Sequence, residues 1–457
     1  MRYRYRSDDE LKDSGVEWIG KIPKDWEVIK LKHKCTFLNG YAFKSEDLDI
    51  DNDVPVVRIG DINENGIDLY KILKVKKDLT QSLDLYKIKK GDTLIAMSGA
   101  TVGKAMFILK NNGELINQRV GIMRPKNINP KYLHYSINNT KFKNEILISS
   151  VGGAQENISS ENIKDKYTVK LYIDEQEKIA NFLDEKTSQF DLIISKKEKL
   201  IERLEEAKKS LISEIITGKV KVVKTDDGYE LIKRSSEDMK DSGVEWLGEI
   251  PKNWEVKRIK QISSVISKGT TPSTVGKEII DKGEIRFLKA ENIYEGKISL
   301  TPEFFIDEET NKILKRSELK ENDILFVIAG ATIGKVAIVQ KEHCPANTNQ
   351  AISFIRLYND VNYKFVYYWL NSPKLQENMW LYAVQSAQPN LSMENLGNFY
   401  ITYPCNYEID ILTDYIEKKD IEINDIIKNI KYQIEKLKEA KQSLISEAVT
   451  GKIEILD

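Results

Sequence analysis

Residues Asp13–Val28 read DSGVEWIGKIPKDWEV, and residues Asp241–Val256 read DSGVEWLGEIPKNWEV. Thirteen of the 16 positions are identical, at an offset of 228 residues. A second pair of stretches behaves the same way. LEEAKKSLISEIITGK from Leu204 returns as LKEAKQSLISEAVTGK from Leu437, with 12 of 16 positions identical at an offset of 233. Between these anchors shorter echoes keep their order. Ser98–Lys104 (SGATVGK) answers to Ala329–Lys335 (AGATIGK), Asn117-Gln118 to Asn349-Gln350, and QENIS from Gln155 to QPNLS from Gln388. So small a drift in offset means one unit written twice with minor loop changes. A period this long is a whole domain with an appendage, not the short repeat of a solenoid.

Each unit has two textures. The first is mixed. Asp92–Met97 and Asn322–Ile328 read as short buried strands running into glycine turns, and Arg119–Met123 and Ala351–Ile355 as further strands. Lys131–Ile146 and Lys364–Met379 carry helical periodicity. The second texture is a long helix. From Glu175 to Thr217 there is no Pro or Gly, and Gly218 follows where a C-terminal cap belongs. A heptad series runs Leu183, Phe190, Lys197, Leu204, Leu211, flanked by Ile193, Ile194, Leu200, Ile201, Ala207 and Ile215. The second copy gives Ile416, Ile423, Ile430, Leu437, Leu444, flanked by Ile426, Ile427, Ile434 and Ala440. Such sustained heptads predict a coiled coil, and a helix of this length spans about 65 Å at 1.5 Å per residue. Packing the two apolar stripes on each other gives the repeated chain a pseudo-two-fold. The alternative leaves each helix on its own domain.

The fold class is therefore α+β: two similar mixed domains, each followed by a long helix. The expected boundaries are 1–174 for the first domain, 175–219 for its helix and 220–240 for a charged connector. The second domain then takes 241–406 and its helix 407–451.

Composition narrows the function classes. At 457 residues with 41% hydrophobic and 31% charged content, the chain reads as a soluble protein of several cores. No apolar run approaches a membrane span, and the first residues lack a secretory h-region, so the expected location is cytoplasmic with no membrane partner. Cys35, Cys344 and Cys405, with His33, His134 and His343, show neither disulfide nor metal-ligand spacing. The net charge of −1 gives no hint of nucleic acid. One local field does: Lys71–Lys143 holds 15 Lys/Arg against 4 Asp/Glu, whereas Pro302–Lys374 balances at 9 against 9.

The order of domain, long helix, domain, long helix, with near-identical junctions, resembles the specificity subunits of type I restriction-modification systems. The resemblance rests on DSGVEWIGKIPKDWEV with its repeat and on LEEAKKSLISEIITGK with its repeat, and covers essentially the whole chain. It implies two target-recognition domains on double-stranded DNA and an antiparallel coiled coil as spacer. It further implies docking of two copies of the modification (methyltransferase) subunit and of the motor and nuclease restriction subunit. The chain itself is then no enzyme and binds no cofactor; S-adenosylmethionine, ATP and Mg belong to those partners. Two rivals stand beside this reading: a coiled-coil adaptor without DNA contact, and a diverged stand-alone DNA methyltransferase or nuclease.

Gly99–Lys104 and Gly330–Lys335 invite a phosphate-loop reading, but a Walker A loop needs four residues between its glycines and Ser or Thr after the lysine. Here three intervene, and Ala105 or Val336 follows. A strand ending in a tight turn fits better, leaving Thr101, Lys104, Thr332 and Lys335 as candidates for DNA phosphates or simple turn residues. Asn117, Gln118, Arg119, Asn347, Asn349 and Gln350 open predicted strands with the side chains that pair with adenine and guanine in the major groove. Gln155, Asn157, Gln388 and Asn390 flank Gly- or Pro-containing loops and are candidates for the same role, or for tying those loops. Trp18, Trp26, Trp246 and Trp254 recur at matched positions and read as core or interface rather than base-stacking residues. No NPPF or NPPY motif, cofactor loop, Walker pair or nuclease carboxylate cluster stands out.

Overall fold

A computed structural model of the chain describes residues 1–62, 71–110, 113–148, 158–383 and 389–456. The chain divides into two compact units, Met1–Glu198 with Lys431–Asp457, and Lys199–Ile430. Both cuts fall inside the long helices, which run unbroken over Ile173–Ile216 and Asn406–Val449, 44 residues each. Each unit therefore owns a mixed domain, the first half of its own long helix and the last half of the other.

Within the first unit the helix halves run antiparallel. Lys441 Nζ donates to Asp191 Oδ1 at 2.6 Å and Lys197 Nζ to Gln433 Oε1 at 2.6 Å, so the numbering rises on one helix as it falls on the other. In the second unit Lys208 reaches both Asp420 and Asn424. Of the expected heptad residues, Leu183, Ile416 and Ile430 are buried. Phe190, Leu204, Leu211, Ile423, Leu437 and Leu444 are half-buried. The flanking assignment needs correction: Ile193, Leu200 and Ile426 are exposed, while Ile194, Ile427 and Ile434 are buried. Neighbouring residues on a helix point about 100° apart, so only one of each adjacent apolar pair faces the seam.

The mixed domain of the first unit is built on four antiparallel strands: β1 (Cys35–Asn39), β2 (Thr93–Ala96), β3 (Ala105–Phe107) and β4 (Val120–Pro125). Their spatial order is β1-β4-β2-β3. The second unit repeats it with β5 (Ser263–Lys268), β6 (Ile324–Val327), β7 (Val336–Ile338) and β8 (Ile352–Leu357), in the order β5-β8-β6-β7. The central strands β2 and β6 are TLIA and ILFV, every residue buried, as expected of strands covered on both faces.

One ion pair fixes the register twice. Arg124 on β4 grips Asp92, just before β2, with Nε–Oδ1 at 2.9 Å and Nη2–Oδ2 at 2.8 Å, and donates also to the Lys87 carbonyl. Arg356 on β8 treats Asp323 and the Glu318 carbonyl in the same way. The planar guanidinium and the carboxylate match as a fork, which holds both distance and angle.

The helical periodicity over Lys131–Ile146 and Lys364–Met379 is in each case that of two successive helices. Pro130–Ile137 is followed by Thr140–Ile148, and Tyr363–Leu370 by Pro373–Tyr382. The second break is chemical: Ser372 caps the new helix through the Leu375 N–H, and Pro373 occupies its first turn, where a missing N–H costs nothing. The stretch read as a connector forms a hairpin, Val220–Thr225 with Gly228–Lys233. Its counterpart in the first unit pairs the two ends of the described chain, Arg2–Tyr5 with Ile453–Leu456.

The repeated anchors explain each other. Gly218 ends the first long helix at φ +74°, with Gly218 N–H donating to Ile215 and Lys219 N–H to Glu214. This left-handed glycine cap satisfies carbonyls that the helix leaves orphaned. A Cβ there would lie 2.9 Å from Trp254 Cζ3 and strike Pro251. Gly451 ends the second helix at φ +73° against Pro23 and Trp26. Each helix thus docks its end into the opening motif of the other repeat. Trp26 and Trp254 are buried at that docking, Trp18 is buried edge-on to Phe142, and Trp246 is half-buried edge-on to Trp369, which places three in core and the fourth packed against it.

Candidate nucleic-acid interface

Three segments remote in sequence meet at one point of each mixed domain. In the first unit β2 runs on to Met97, whose N–H donates to the Arg119 carbonyl at 3.0 Å and whose carbonyl accepts from Ile158 N–H at 2.9 Å. In the second unit Ile328 does the same with Ala351 and Leu391, both at 2.8 Å. SGATVGK, NQR and the end of QENIS are thereby tied together, as are AGATIGK, NQA and the end of QPNLS. Sequence order alone does not imply that convergence.

The turn after β2 is a 3₁₀ turn over Gly99–Thr101, returned to β3 by hydrogen bonds between Ala96 and the Gly103-Lys104 pair. Gly99 and Gly103 have φ of +71° and +76°, and Gly330 and Gly334 repeat this at +91° and +87°. Left-handed backbone is why glycine stands there; the motif is a turn and not a phosphate cradle.

A fourth segment, not among the sequence candidates, joins the cluster. Gly40, directly after β1, donates to the Val120 carbonyl, and Tyr41 to the Ile116 carbonyl. Gly269 and Thr270 after β5 make the same bonds to Ile352 and Thr348. A Cβ on Gly40 would run into the Asn117 carbonyl, and one on Gly269 into that of Thr348. The signal was available: a glycine closing a strand-like run at a matched offset in both repeats.

The candidate side chains then sort by exposure. Gln118, Arg119, Gln350 and Asn390 are exposed at the cluster, and Asn117, Asn349, Thr332, Lys104 and Lys335 are half-covered. Thr101 is half-covered too, but its Oγ1 is buried and without a hydrogen-bond partner among the described residues. Asn347 requires correction. It is fully buried, and its amide donates to Asn311 Oδ1 and the Leu314 carbonyl, so it offers no edge to a base. Asn349 spends one acceptor on Ala351 N–H. Gln155, Asn157 and Gln388 lie outside the described residues.

The two clusters carry different cations in different places. In the first, Lys104 and Arg119 have no ion-pair or hydrogen-bond partner for their cationic groups among the described residues. In the second, the Lys335 ammonium stands 5.7 Å from the Tyr294 ring centre, and Tyr294 is 61% exposed. Exposed Lys268 precedes Gly269, where the first unit has Asn39. Exposed amides, cations and one aromatic ring on rigid turns make a surface suited to phosphates and base edges. Among the described residues no group of His, Cys, Asp or Glu is placed to hold a metal ion, and no helix is long and apolar enough to cross a membrane.

Comparison with known proteins agrees with this reading. The family model described as the type I restriction modification DNA specificity domain matches twice, over residues 23–205 and 251–442. The specificity subunit of the type I restriction enzyme EcoBI from Escherichia coli is 22% identical over 455 residues, covering 97% of this chain and 90% of that one. The MjaVIII specificity subunit from Methanocaldococcus jannaschii is 24% identical over 442 residues, covering 95% and 94%. A chain from a structural study of assembly and conformational transition in a type I R-M system shares the fold, with a TM-score of 0.67 at 12% identity over 94% of this chain and 99% of that one. With matched turn clusters in both copies and the domain model aligned to each, the chain belongs to the type I restriction-modification DNA specificity family and carries that domain twice.

Proposed function

We propose that this chain is the DNA-reading subunit of a type I restriction-modification complex, that each unit reads one half of a bipartite site, and that the chain catalyses nothing itself. The observation that carries this is the turn cluster: the same backbone knot built twice, with different exposed side chains. Identical scaffolds with unlike surfaces are what two unlike half-sites require. Joining two weak readers in one molecule raises the effective concentration of the second once the first is bound.

Two copies of a modification subunit dock on the repeated junctions, and a motor and nuclease subunit joins that core. S-adenosylmethionine, ATP and Mg serve those partners. The near-identity of the two junctions supports a pair of equivalent docking surfaces. The complex works in the cytoplasm, where the DNA is.

The test is binding of labelled genomic fragments by the chain with and without modification subunit, across a salt series. Affinity is expected to fall steeply with salt, as counterion release demands, while selectivity for one bipartite sequence persists. Non-selective binding even with the partner would favour an adaptor. Methyl transfer or cleavage by the purified chain alone would favour an enzyme.

A further inference from the structure

We propose that Arg119 makes the half-site read by the first unit demand a guanine at one position, a demand the second unit lacks because Ala351 stands in the same place. The proposal rests on the DNA-reading function above and names the residue and base that carry part of it.

The equivalence of the two positions is set by hydrogen bonds and not only by alignment. The Arg119 carbonyl accepts from Met97 N–H as the Ala351 carbonyl accepts from Ile328 N–H. Both follow an exposed glutamine, Gln118 or Gln350, and both open the strand that carries the Arg–Asp fork. The surroundings match, and the side chain differs.

Arg119 is exposed, and its guanidinium has no partner among the described residues. That sets it apart from Arg124, spent on Asp92, and from Arg58, which holds Asp61. Its backbone is nonetheless rigid. At Gly121, two residues on, a Cβ would be 2.9 Å from Phe37 Cε1 and 3.0 Å from Met97 Sδ, so the strand is pressed on the sheet without slack. A free guanidinium on a fixed backbone, next to a free amide, can present two parallel N–H groups to O6 and N7 of guanine. One cation at the matching cluster of the second unit is Lys268, on the neighbouring strand opposite Ser353 and without an ion-pair or hydrogen-bond partner among the described residues. Its ammonium is a point charge with no fork, suited to a phosphate rather than to one base.

The experiment uses the full chain assembled with its modification subunits and a DNA library randomised over both half-sites. Wild type, Arg119→Ala and Arg119→Gln are compared by selection and sequencing, with thermal unfolding as a check on folding. Arg119→Ala is expected to lose preference for guanine at one position of one half-site by about 5- to 150-fold, the discrimination one bidentate pair supplies. All other positions, and the whole second half-site, stay as in wild type. Arg119→Gln is expected to move that position toward adenine. A uniform loss across all sequences would mark Arg119 as a phosphate contact and overturn the proposal, as would unchanged preferences. Wild type without any sequence preference would overturn the DNA-reading function as well, which separates the two failures.

Discussion

Gly451 closes the second long helix against Trp26, so tightly that a Cβ would sit 2.6 Å from Trp26 Cζ3 and 2.5 Å from Pro23 Cδ. Trp26 belongs to the opening motif of the first repeat and Gly451 to the closing motif of the second. The same contact joins Gly218 to Trp254 with the repeats exchanged. Around it the caps are completed in two ways. Tyr132 Oη donates to the Val449 carbonyl at 2.9 Å in the first unit, and Thr402 Oγ1 to the Ile216 carbonyl at 2.5 Å in the second. Each satisfies a helix-terminal carbonyl that would otherwise be buried without a partner.

Replacing Gly451 by Ala therefore combines a left-handed backbone with a collision against two rings. The expected cost is roughly 2–4 kcal/mol, the sum of overpacking and positive-φ strain. Gly15 provides the control. Its φ is +70°, but nothing lies within 4 Å of the Cβ position, so Gly15→Ala carries only the strain, roughly 1 kcal/mol. Urea unfolding of the two variants separates the terms; equal midpoints would show that the docking contact is looser than described.

The Arg124–Asp92 fork makes a prediction about coupling. Asp92 has 1% of its side chain exposed and Arg124 22%. Removing Asp92 alone, as Asp92→Asn, strands a partly buried cation and should cost about 2–4 kcal/mol. Removing both, as Asp92→Leu with Arg124→Met, should recover much of that loss, because no charge is left unpaired. A double-mutant cycle measures it, and simple additivity would argue that the pair does not act as a unit.

His134 should give the first unit an acid-side instability. Its ring lies 5.5 Å from Phe107 and 5.9 Å from Tyr135, its Nδ1 is buried without a partner among the described residues, and it lines a cleft of about 1150 Å³ with Lys131, Asp184 and Lys441. Burial, assisted by the Lys143 charge, lowers its pKa to about 4. The unfolded chain takes up a proton near pH 6.5, and the folded chain does not until about 4. Stability is therefore full above pH 6.5, falls as pH drops from there to 4, and levels off below, losing at most about 3 kcal/mol. The second unit has Tyr367 at the matching place, its hydroxyl bonded to the Gly296 carbonyl. His134→Tyr should remove this part of the slope in unfolding measured across pH 4–7, and an unaltered slope would assign it to other groups.

The repeat anchors were legible because near-identity over 16 residues needs no structural knowledge. Their exchange was not. Pro23 with Trp26 and Pro251 with Trp254 present almost the same receiving site, so the motifs themselves give no reason for Gly218 to choose the copy of the next repeat over that of its own. Helix continuity was readable from the absence of Pro and Gly, but the seam was blurred wherever two apolar residues stand side by side, as at Ile193-Ile194. Asn347 misled for a related reason. Asn117 and Asn347 look alike in sequence, yet one opens an exposed turn and the other satisfies a buried loop carbonyl, a distinction set by tertiary contacts. Gly40 and Gly269 were visible as letters, but their role appears only when the Asn117 and Thr348 carbonyls come to meet them.

The two long helices carry a prediction about the unread gap between half-sites. Each passes from one unit to the other without a break, at Glu198-Lys199 and at Ile430-Lys431. Seven residues inserted at both points keep every apolar residue on its own face, since a heptad is close to two helical turns. The insertion adds roughly 10 Å of helix, which at about 3.4 Å per base pair bounds the change in gap at about three base pairs. The half-site sequences should be untouched, because the turn clusters at Met97 and Ile328 are not altered. Sequencing of methylated bases in a host carrying the extended chain reads both quantities at once. A longer gap with unchanged half-sites is expected; a rewritten half-site would mean that the helices also shape the reading surfaces. Inserting seven residues in one helix only breaks the match between Lys197 and Gln433 or between Lys208 and Asn424, so that variant should lose activity instead of changing spacing.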